Sequence, residues 1–287
     1  MSIASGPFEV SEKEQWRRTF RRRQRQRAAV IAIISTMVVT VLVAVGVTHT
    51  PGWHDAHQSF FDGHVFRSQF GYIFRGFLID VKVFAICEPC ILVLAALIAV
   101  MRTSTSPVLA PVRIACALYV DIFRGIPTLI LMFLIGLGIP SLHLHHVTNS
   151  ALVWCSTAVV ISYSAYVTEV IRAGIQSVHP SQRAAARSLG LTSQQTMRLV
   201  LLPQGLRSVV PALLNDLVSL TKDVSLISIV GAIADSIERA TGIEDQIFNF
   251  TPYVIAAILF IAVAAPLGRL SDWYTLRTMR RQGWATA

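Results

Sequence analysis

Residues 169–203 read EVIRAGIQSVHPSQRAAARSLGLTSQQTMRLVLLP, a polar and basic stretch with an apolar run on either side long enough to cross a membrane. It is therefore a loop held between two spans, and its own signals divide it into two short helices. Pro180 suits the first position of one helix, and Gly190, just past Leu189, suits the left-handed residue that ends it. Thr192 with Gln195 three residues on forms a capping box that restarts the chain as SQQTMRLVLL, until Pro203 interrupts it. Ala184, Ala185 and Ala186 are small enough for the backbone of a partner to approach closely, which makes the first helix a docking surface. Two other readings stand beside this one. ARSLGLTSQQTMR has the Gly turn and polar second helix of a DNA-binding helix-turn-helix, but that motif needs a third helix and a core that a loop of about 30 residues between two spans does not offer. The loop also reads as an amphipathic connector packed on its own membrane domain.

The composition points the same way. The chain is 53% hydrophobic and only 14% charged, which places it among polytopic all-α membrane proteins, since a soluble fold would need a core larger than the chain can build. A net charge of +9 raises the question of nucleic acid, but in a membrane protein the location of the charges matters more, and here they are strongly asymmetric. Cys87, Cys90, Cys116 and Cys155 all fall within or beside apolar runs, so no extracellular disulfide framework is implied. The CxxC of Cys87 and Cys90 reads as small packing residues rather than a metal or redox site. The sequence GxxxxGK[ST] does not occur, so ATP, if it drives this protein, is bound by another chain. No nucleophile, general base and oxyanion donor converge, which argues against an enzyme and leaves no catalytic residue to name.

Taken in order, residues 1–27 end in WRRTFRRRQRQR, a basic cytoplasmic tail expected to be disordered because its charge density forbids a packed core. Val30 to Val47 form a first span, oriented by the Arg block before it; the long tail and the lack of a small-residue cleavage site disfavour a signal peptide. Residues 28–75 are then an N-terminal transmembrane helix and an external loop, 48–75, rich in His, Phe and Trp. The second span, Gly76 to Met101, holds Asp80, Lys82 and Glu88, each costing roughly 2.5 to 3.5 kcal/mol at mid-membrane. Asp80 and Lys82 lie near its outer end, within reach of water. Glu88 lies deeper and faces either a cavity or a helix contact at which it is protonated or hydrogen-bonded.

Arg102, Pro107, Pro111 and Arg113 mark an inner turn, and a third span follows with Asp121 and Arg124 placed to pair at i, i+3. His143, His145 and His146 cluster in the next outer loop without the Cys or acid partners of a metal site. A fourth span, Ala151 to Val170, carries Ser156, Thr157, Ser162, Tyr163, Ser164 and Tyr166, the residues of helix packing and cavity lining. A fifth, Leu206 to Ile233, includes Asn215, Asp216, Lys222 and Asp223; with Pro211 and the polar SLTKDVSLISIVG it reads as an interrupted helix buried against other spans. An acidic outer loop, 235–250, leads to a sixth span, Tyr253 to Leu270, and to Arg277, Arg280 and Arg281 inside. Only Arg67, Arg75 and Arg239 are basic in the outer loops, so both termini are expected in the cytoplasm.

Two segments resemble a known family. Gly190 followed after nine residues by Val200, Leu201, Leu202 and Pro203 is similar to the G-x9-I-x-LP half of the EAA loop in permease subunits of ATP-binding-cassette importers. FRGIPTLILMFLIGLGIP, 123–140, resembles FRGTP…Q-x-FLIYFGLP of the polar-amino-acid branch, with Ile126 for the usual Thr, and the polar phrase of the fifth span resembles N-x-L-x-x-L-x-K-x-[ST]-S-L. The resemblance covers about residues 72–280 and implies a five-helix core, 76–280, with a cytoplasmic coupling loop, 171–204, and one added N-terminal helix. It also implies a dimer of ATPase subunits, an extracytoplasmic solute-binding protein, a second permease subunit and a polar amino acid as cargo, with no nucleic acid, metal or cofactor of its own. The residues it assigns to the ATPase contact are Ser181, Arg183, Ala184, Ala185, Ala186, Arg187, Gly190 and Pro203. Where the family has Glu opening EAA this chain has Ala184, which removes one polar contact; Arg183 and Arg187 are placed to compensate. Glu88, Asp216, Lys222 and Asp223 are the candidates for the substrate path, although Asp216 or Asp223 could instead neutralise Lys222. A secondary transporter or channel, and a membrane-tethered regulator, are the alternatives.

Overall fold

The computed structural model describes residues 12–103, 107–231 and 233–281. Residues 1–11 of the expected tail and 104–106 of the expected inner turn lie outside them. The chain divides between Gln58 and Ser59 into two units. The first is dominated by α1, Glu12–Thr48, which corrects the expectation of a disordered tail: from Glu12 the basic stretch is helical and continuous with the apolar stretch Gln26–Thr48. Arg, Gln, Glu and Lys are good helix formers, and a helix already nucleated by an apolar span extends through them without needing a core.

The second unit is a helical bundle. Its elements are α3, Gly63–Thr103; a 3₁₀ turn, Pro107–Leu109; α4, Ala110–Gly125; α5, Thr128–Ser141; α6, Ala151–Ser177; and α7, Pro180–Ser188. After α7 one long helix, α8, opens as Ser193–Gln195, widens to π spacing over Thr196–Leu201 and runs on as Leu202–Asp223. Then come α9, Leu226–Ile229; α10, Ser236–Ile247; and α11, Thr251–Arg281. Among the described residues five helical stretches are long and apolar enough to span, and α4 with α5, bent by 105°, is a candidate sixth. The bend falls at Ile126–Pro127, where Pro127 lacks an amide hydrogen and its ring disfavours helix at the residue before it.

Three expected loops are helical. In 48–75 lie α2, Trp53–Phe60, and the first turns of α3, whose 41 residues reach about 60 Å. The stretch 235–250 is mostly α10. The loop 171–204 contracts to the segment around α7, because α6 continues to Ser177 and α8 passes through Pro203. Pro203 stands in the first turn of the α-helical stretch that follows the π turn, so the wider turn takes up the ring without ending the helix. The expected interruption of the fifth span is present, at Val224–Ser225 between α8 and α9, while Pro211 is carried inside α8.

The principal core joins Ile91, Ala95 and Ala99 of α3 with Val159, Val167 and Ile171 of α6, and Leu220 and Ile227 from the α8–α9 strand of chain. A smaller cluster joins Ile73 and Phe77 of α3 to Ile255, Ala256 and Leu259 of α11, with Phe77 edge-on to Phe260 at 5.2 Å. Buried hydroxyls fix the α6 contacts: Tyr119 donates to the Ile161 carbonyl at 2.8 Å, and Thr168 bonds across to the Ala95 carbonyl at 3.3 Å. Asp121 and Arg124 do not pair; the Arg124 guanidinium lies over the Tyr166 ring at 5.7 Å, and Tyr166 donates to the Arg124 carbonyl.

The backbones of α6 and α8 approach closely, and a Cβ on Gly205 would stand 2.8 Å from Ile175 Cα. Gly205→Ala is expected to lower the melting temperature of the purified protein. Gly268→Ala, in open space on α11, should leave it unchanged or raise it, since Ala favours helix over Gly by about 1 kcal/mol. Equal melting temperatures for the two variants would mean that the α6–α8 contact is not tight.

Candidate functional site

The α7 segment is built as its residues dictate. His179 caps the helix, its Nδ1 accepting from the Ser181 amide at 3.2 Å, and Pro180 occupies the first turn, where a missing amide costs nothing. At the other end the Leu191 amide donates to the Ala186 carbonyl at 3.2 Å and the Gly190 amide to the Arg187 carbonyl at 3.0 Å. This is a Schellman ending, and Gly190 takes the positive φ of 81° that it requires. The capping box is also in place: Gln195 donates its amide to Thr192 Oγ1 at 3.3 Å, and Thr192 donates its amide to Gln195 Oε1 at 2.9 Å.

Ser181, Arg183, Ala184, Ala185, Arg187 and Gly190 are exposed, forming with Leu189, 82% exposed, one small-residue and basic surface. Ala186 departs from the expected docking face. It is 4% exposed and turned inward, because two residues of helix rotate it by about 200° from Ala184. Its small size instead lets α7 lie on the π turn of α8. Pro203 is exposed but lies beyond that turn, apart from the α7 surface.

An ion cluster anchors the entry to this segment. Glu169 of α6 accepts from Arg102 Nη1 of α3 at 2.9 Å and from Arg172 Nε at 3.0 Å, and Arg172 Nη2 also reaches its other oxygen. The i, i+3 spacing of Glu169 and Arg172 was visible in the sequence; the third member, Arg102, comes from a distant helix and carried no signal.

The intramembrane acids gather in the bundle. Glu88 of α3 is half-buried and within electrostatic reach of Asp216 of α8, so it does have a neighbour, and that neighbour is another acid. Asp216 Oδ2 is buried with no hydrogen-bond partner among the described residues. Tyr163 of α6, 7% exposed, donates to Asp223 Oδ2 at 2.6 Å and also senses Asp216. Tyr163 carried the signal of helix packing and cavity lining in the sequence; its place beside Asp223 and Asp216 is a finding of the fold. Lys222 is exposed and forms no ion pair with Asp216 or Asp223, so the neutralised pair weighed above is not made. Asp80, expected to reach water, is 4% exposed, whereas Lys82 is exposed. Among the described residues no group of His, Cys, Asp and Glu converges as metal ligands.

Comparison with known proteins gives a consistent pattern. Residues 91–280 match the family described as the binding-protein-dependent transport system inner membrane component. The chain is 32% identical over 184 residues to the inner membrane amino-acid ABC transporter permease protein YhdY of Escherichia coli strain K12, a match covering 63% of this chain and 49% of that protein. It therefore spans about half the length of that relative. With the arginine transport system permease protein ArtQ of Bacillus subtilis strain 168 it shares 28% identity over 194 residues, 67% of this chain and 85% of that one. A solved amino acid ABC transporter with histidines superposes at a TM-score of 0.64 and 30% identity, covering 74% of this chain and 98% of that one. The MetNI methionine ABC transporter, in inward-facing conformations, shares the fold at a TM-score of 0.56 and 20% identity, covering 73% and 95%.

The Glu169 cluster predicts energetic coupling between α3 and α6. Its side chains are 15% to 28% exposed, so Glu169→Ala leaves two partly buried guanidinium groups without their carboxylate, a loss of roughly 1 to 3 kcal/mol. In a double-mutant cycle the Arg102→Ala and Glu169→Ala losses are expected to fall short of additivity by about 1 kcal/mol. Additive losses in chemical denaturation would show that the contact contributes nothing.

Proposed function

This chain belongs to the family of binding-protein-dependent transport system inner membrane components, and we propose on that footing that it is the permease subunit of an ATP-binding-cassette importer carrying a polar amino acid across the cytoplasmic membrane. The observation that carries the proposal is the α7 surface: a short, firmly capped, exposed helix of Ala and Arg held between two spanning helices. A surface of that kind fits a groove on a separate ATPase, and the charge asymmetry of the sequence supports a cytoplasmic location for it and for both termini. Ser181, Arg183, Ala184, Ala185, Arg187 and Gly190 form the contact. Ala186 and Pro203 support it from behind, Ala186 by close packing and Pro203 by its place after the π turn.

A dimer of ATPase subunits docks at α7, a second permease subunit completes the path, and an extracytoplasmic binding protein delivers the cargo. The bilayer surrounds the apolar helices. The chain itself performs no hydrolysis and holds no cofactor or metal; ATP belongs to the partner. The relatives' names span several amino acids, from arginine to glutamate and aspartate. The acids Glu88, Asp216 and Asp223, gathered without a paired cation, favour a substrate that brings its own positive charge. Exposed Lys222 is the candidate partner for a carboxylate.

Uptake of radiolabelled polar amino acids should depend on this chain and stop on ATP depletion; uptake that survives ATP depletion but collapses with the ion gradient would assign it to the secondary transporters. Gly190→Trp forces a non-glycine residue into the left-handed region, costing about 1 to 2 kcal/mol locally, and puts bulk on the dock. In the assembled complex it should abolish ATP hydrolysis stimulated by loaded binding protein while the membrane fold survives; retained stimulation would show that α7 is not the dock. Glu88→Gln should reduce uptake of cationic amino acids first, and unchanged uptake of cationic, neutral and acidic substrates would remove Glu88 from the path.

A further inference from the structure

At the end of the bundle remote from α7, the start of α10 is pressed onto α3. A Cβ on Gly76 would stand 2.5 Å from the Asp235 carbonyl oxygen, so the two backbones touch. One helical turn along α3, Asp80 is 4% exposed and its Oδ2 accepts from Ser236 Oγ at 2.6 Å and from the Ser236 amide at 3.3 Å. Asp235 is 0% exposed. Its Oδ1 closes the N-terminus of α10 by accepting from the amides of Ile237 at 2.9 Å and Glu238 at 3.0 Å. Its Oδ2 is buried and receives no hydrogen bond, yet the Asp80 carboxyl is within hydrogen-bond reach of Asp235.

The surrounding charges do not resolve this. Arg239 of α10 spends its guanidinium elsewhere: Nε donates to the Ala234 carbonyl at 2.9 Å, Nη1 donates to the Tyr72 carbonyl at 3.0 Å, and the group stacks on the Tyr72 ring at 4.5 Å. Glu238 of α10 and Lys82 of α3 are exposed, and neither forms an ion pair with the two acids. Ser228 of α9 brings a neutral hydroxyl within reach of the Asp235 carboxyl, but that hydroxyl donates its one proton to the Ser225 carbonyl at 2.6 Å. On α11, Tyr253 is engaged with Thr241 at 3.0 Å. Two carboxylates this close, dry and without a cation cannot both ionise, and ionised carboxylates only accept. A single proton between them removes the like-charge repulsion and gives Asp235 Oδ2 the partner it lacks.

We propose that Asp80 and Asp235 form a one-proton site, with the proton held between Asp235 Oδ2 and the Asp80 carboxyl, and that this proton seats the N-terminus of α10 on α3. The site lies apart from the acids of the proposed substrate path and does not depend on that assignment. Burial pushes the Asp235 carboxyl above the usual carboxylate range, the direction that retains a proton. The sign follows: a group whose folded value is raised stabilises the fold at acidic pH, and that stability is lost as pH rises through the folded value. Alkaline conditions therefore ionise both acids and lift α10 away from α3.

Hydrogen–deuterium exchange of residues 233–247, corrected for intrinsic rates, tests this in the intact protein in nanodiscs. Between about pH 5 and about pH 9 the protection of the first turn of α10 should fall roughly tenfold or more. Asp80→Asn supplies an amide N–H to Asp235 in place of the proton; it should keep the acidic-pH protection and flatten its pH course. Asp235→Asn, which keeps an oxygen for the cap, should do the same from the other side. In wild type, difference infrared spectra should show a protonated carboxyl band that either substitution abolishes. Protection that is flat with pH in wild type, an Asp80→Asn variant that tracks wild type, or a wild-type spectrum without that band overturns the proposal.

Discussion

A backbone amide or carbonyl that meets hydrocarbon without a partner costs several kcal/mol, and the shape of this bundle follows from that single penalty. Apolar stretches are forced into helix, and every departure from regular helix must be backed by protein. The departures obey the rule. Thr128, next to the 105° bend of α4 and α5, bonds the buried Ser162 of α6 at 2.9 Å. The π turn of α8 lies against α7, and Val224 and Ile227 flank the α8–α9 break within the principal core.

The same penalty explains what the sequence made legible. The existence of the spans, the capped helix at Pro180, the left-handed Gly190 and the Thr192–Gln195 box were all readable because each is a local pattern with a local cause. What escaped depended on distance. Polarity in 48–75 and 235–250 suggested loops, but α10 is folded as a helix by packing on α3 and α11, which no local pattern reports. Pro203 suggested a stop because the compensating π turn could not be foreseen from composition.

Charges were legible in kind and misplaced in detail. Glu88 was marked as an acid in need of a neighbour, and the fold supplies Asp216, which sharpens the need instead of relieving it. Asp80 was assigned to water because it lies near a span end, yet the extra turns of α3 and the packing of α10 enclose it. Arg124 was assigned to Asp121 by spacing, but a tyrosine face on the adjacent helix competes for a guanidinium as effectively as an exposed carboxylate.

One element connects these observations. Arg102 near one end of α3 holds Glu169 of α6, about two turns before α6 gives way to the α7 segment, and Asp80, 22 residues earlier, holds the start of α10. At 1.5 Å per residue the two anchors stand about 33 Å apart on one continuous helix, a span comparable to the hydrocarbon thickness. Between them Glu88 faces Asp216, so the helix that ties both ends of the bundle also lines the cluster of acids. Ile91, Ala95 and Ala99 bury the inner part of α3 against α6, and Pro89, inside the helix, stands next to Glu88. On the function proposed above, the seating of α3 at the Glu169 anchor and the spacing of Glu88 from Asp216 belong to one conformational balance with the α7 surface.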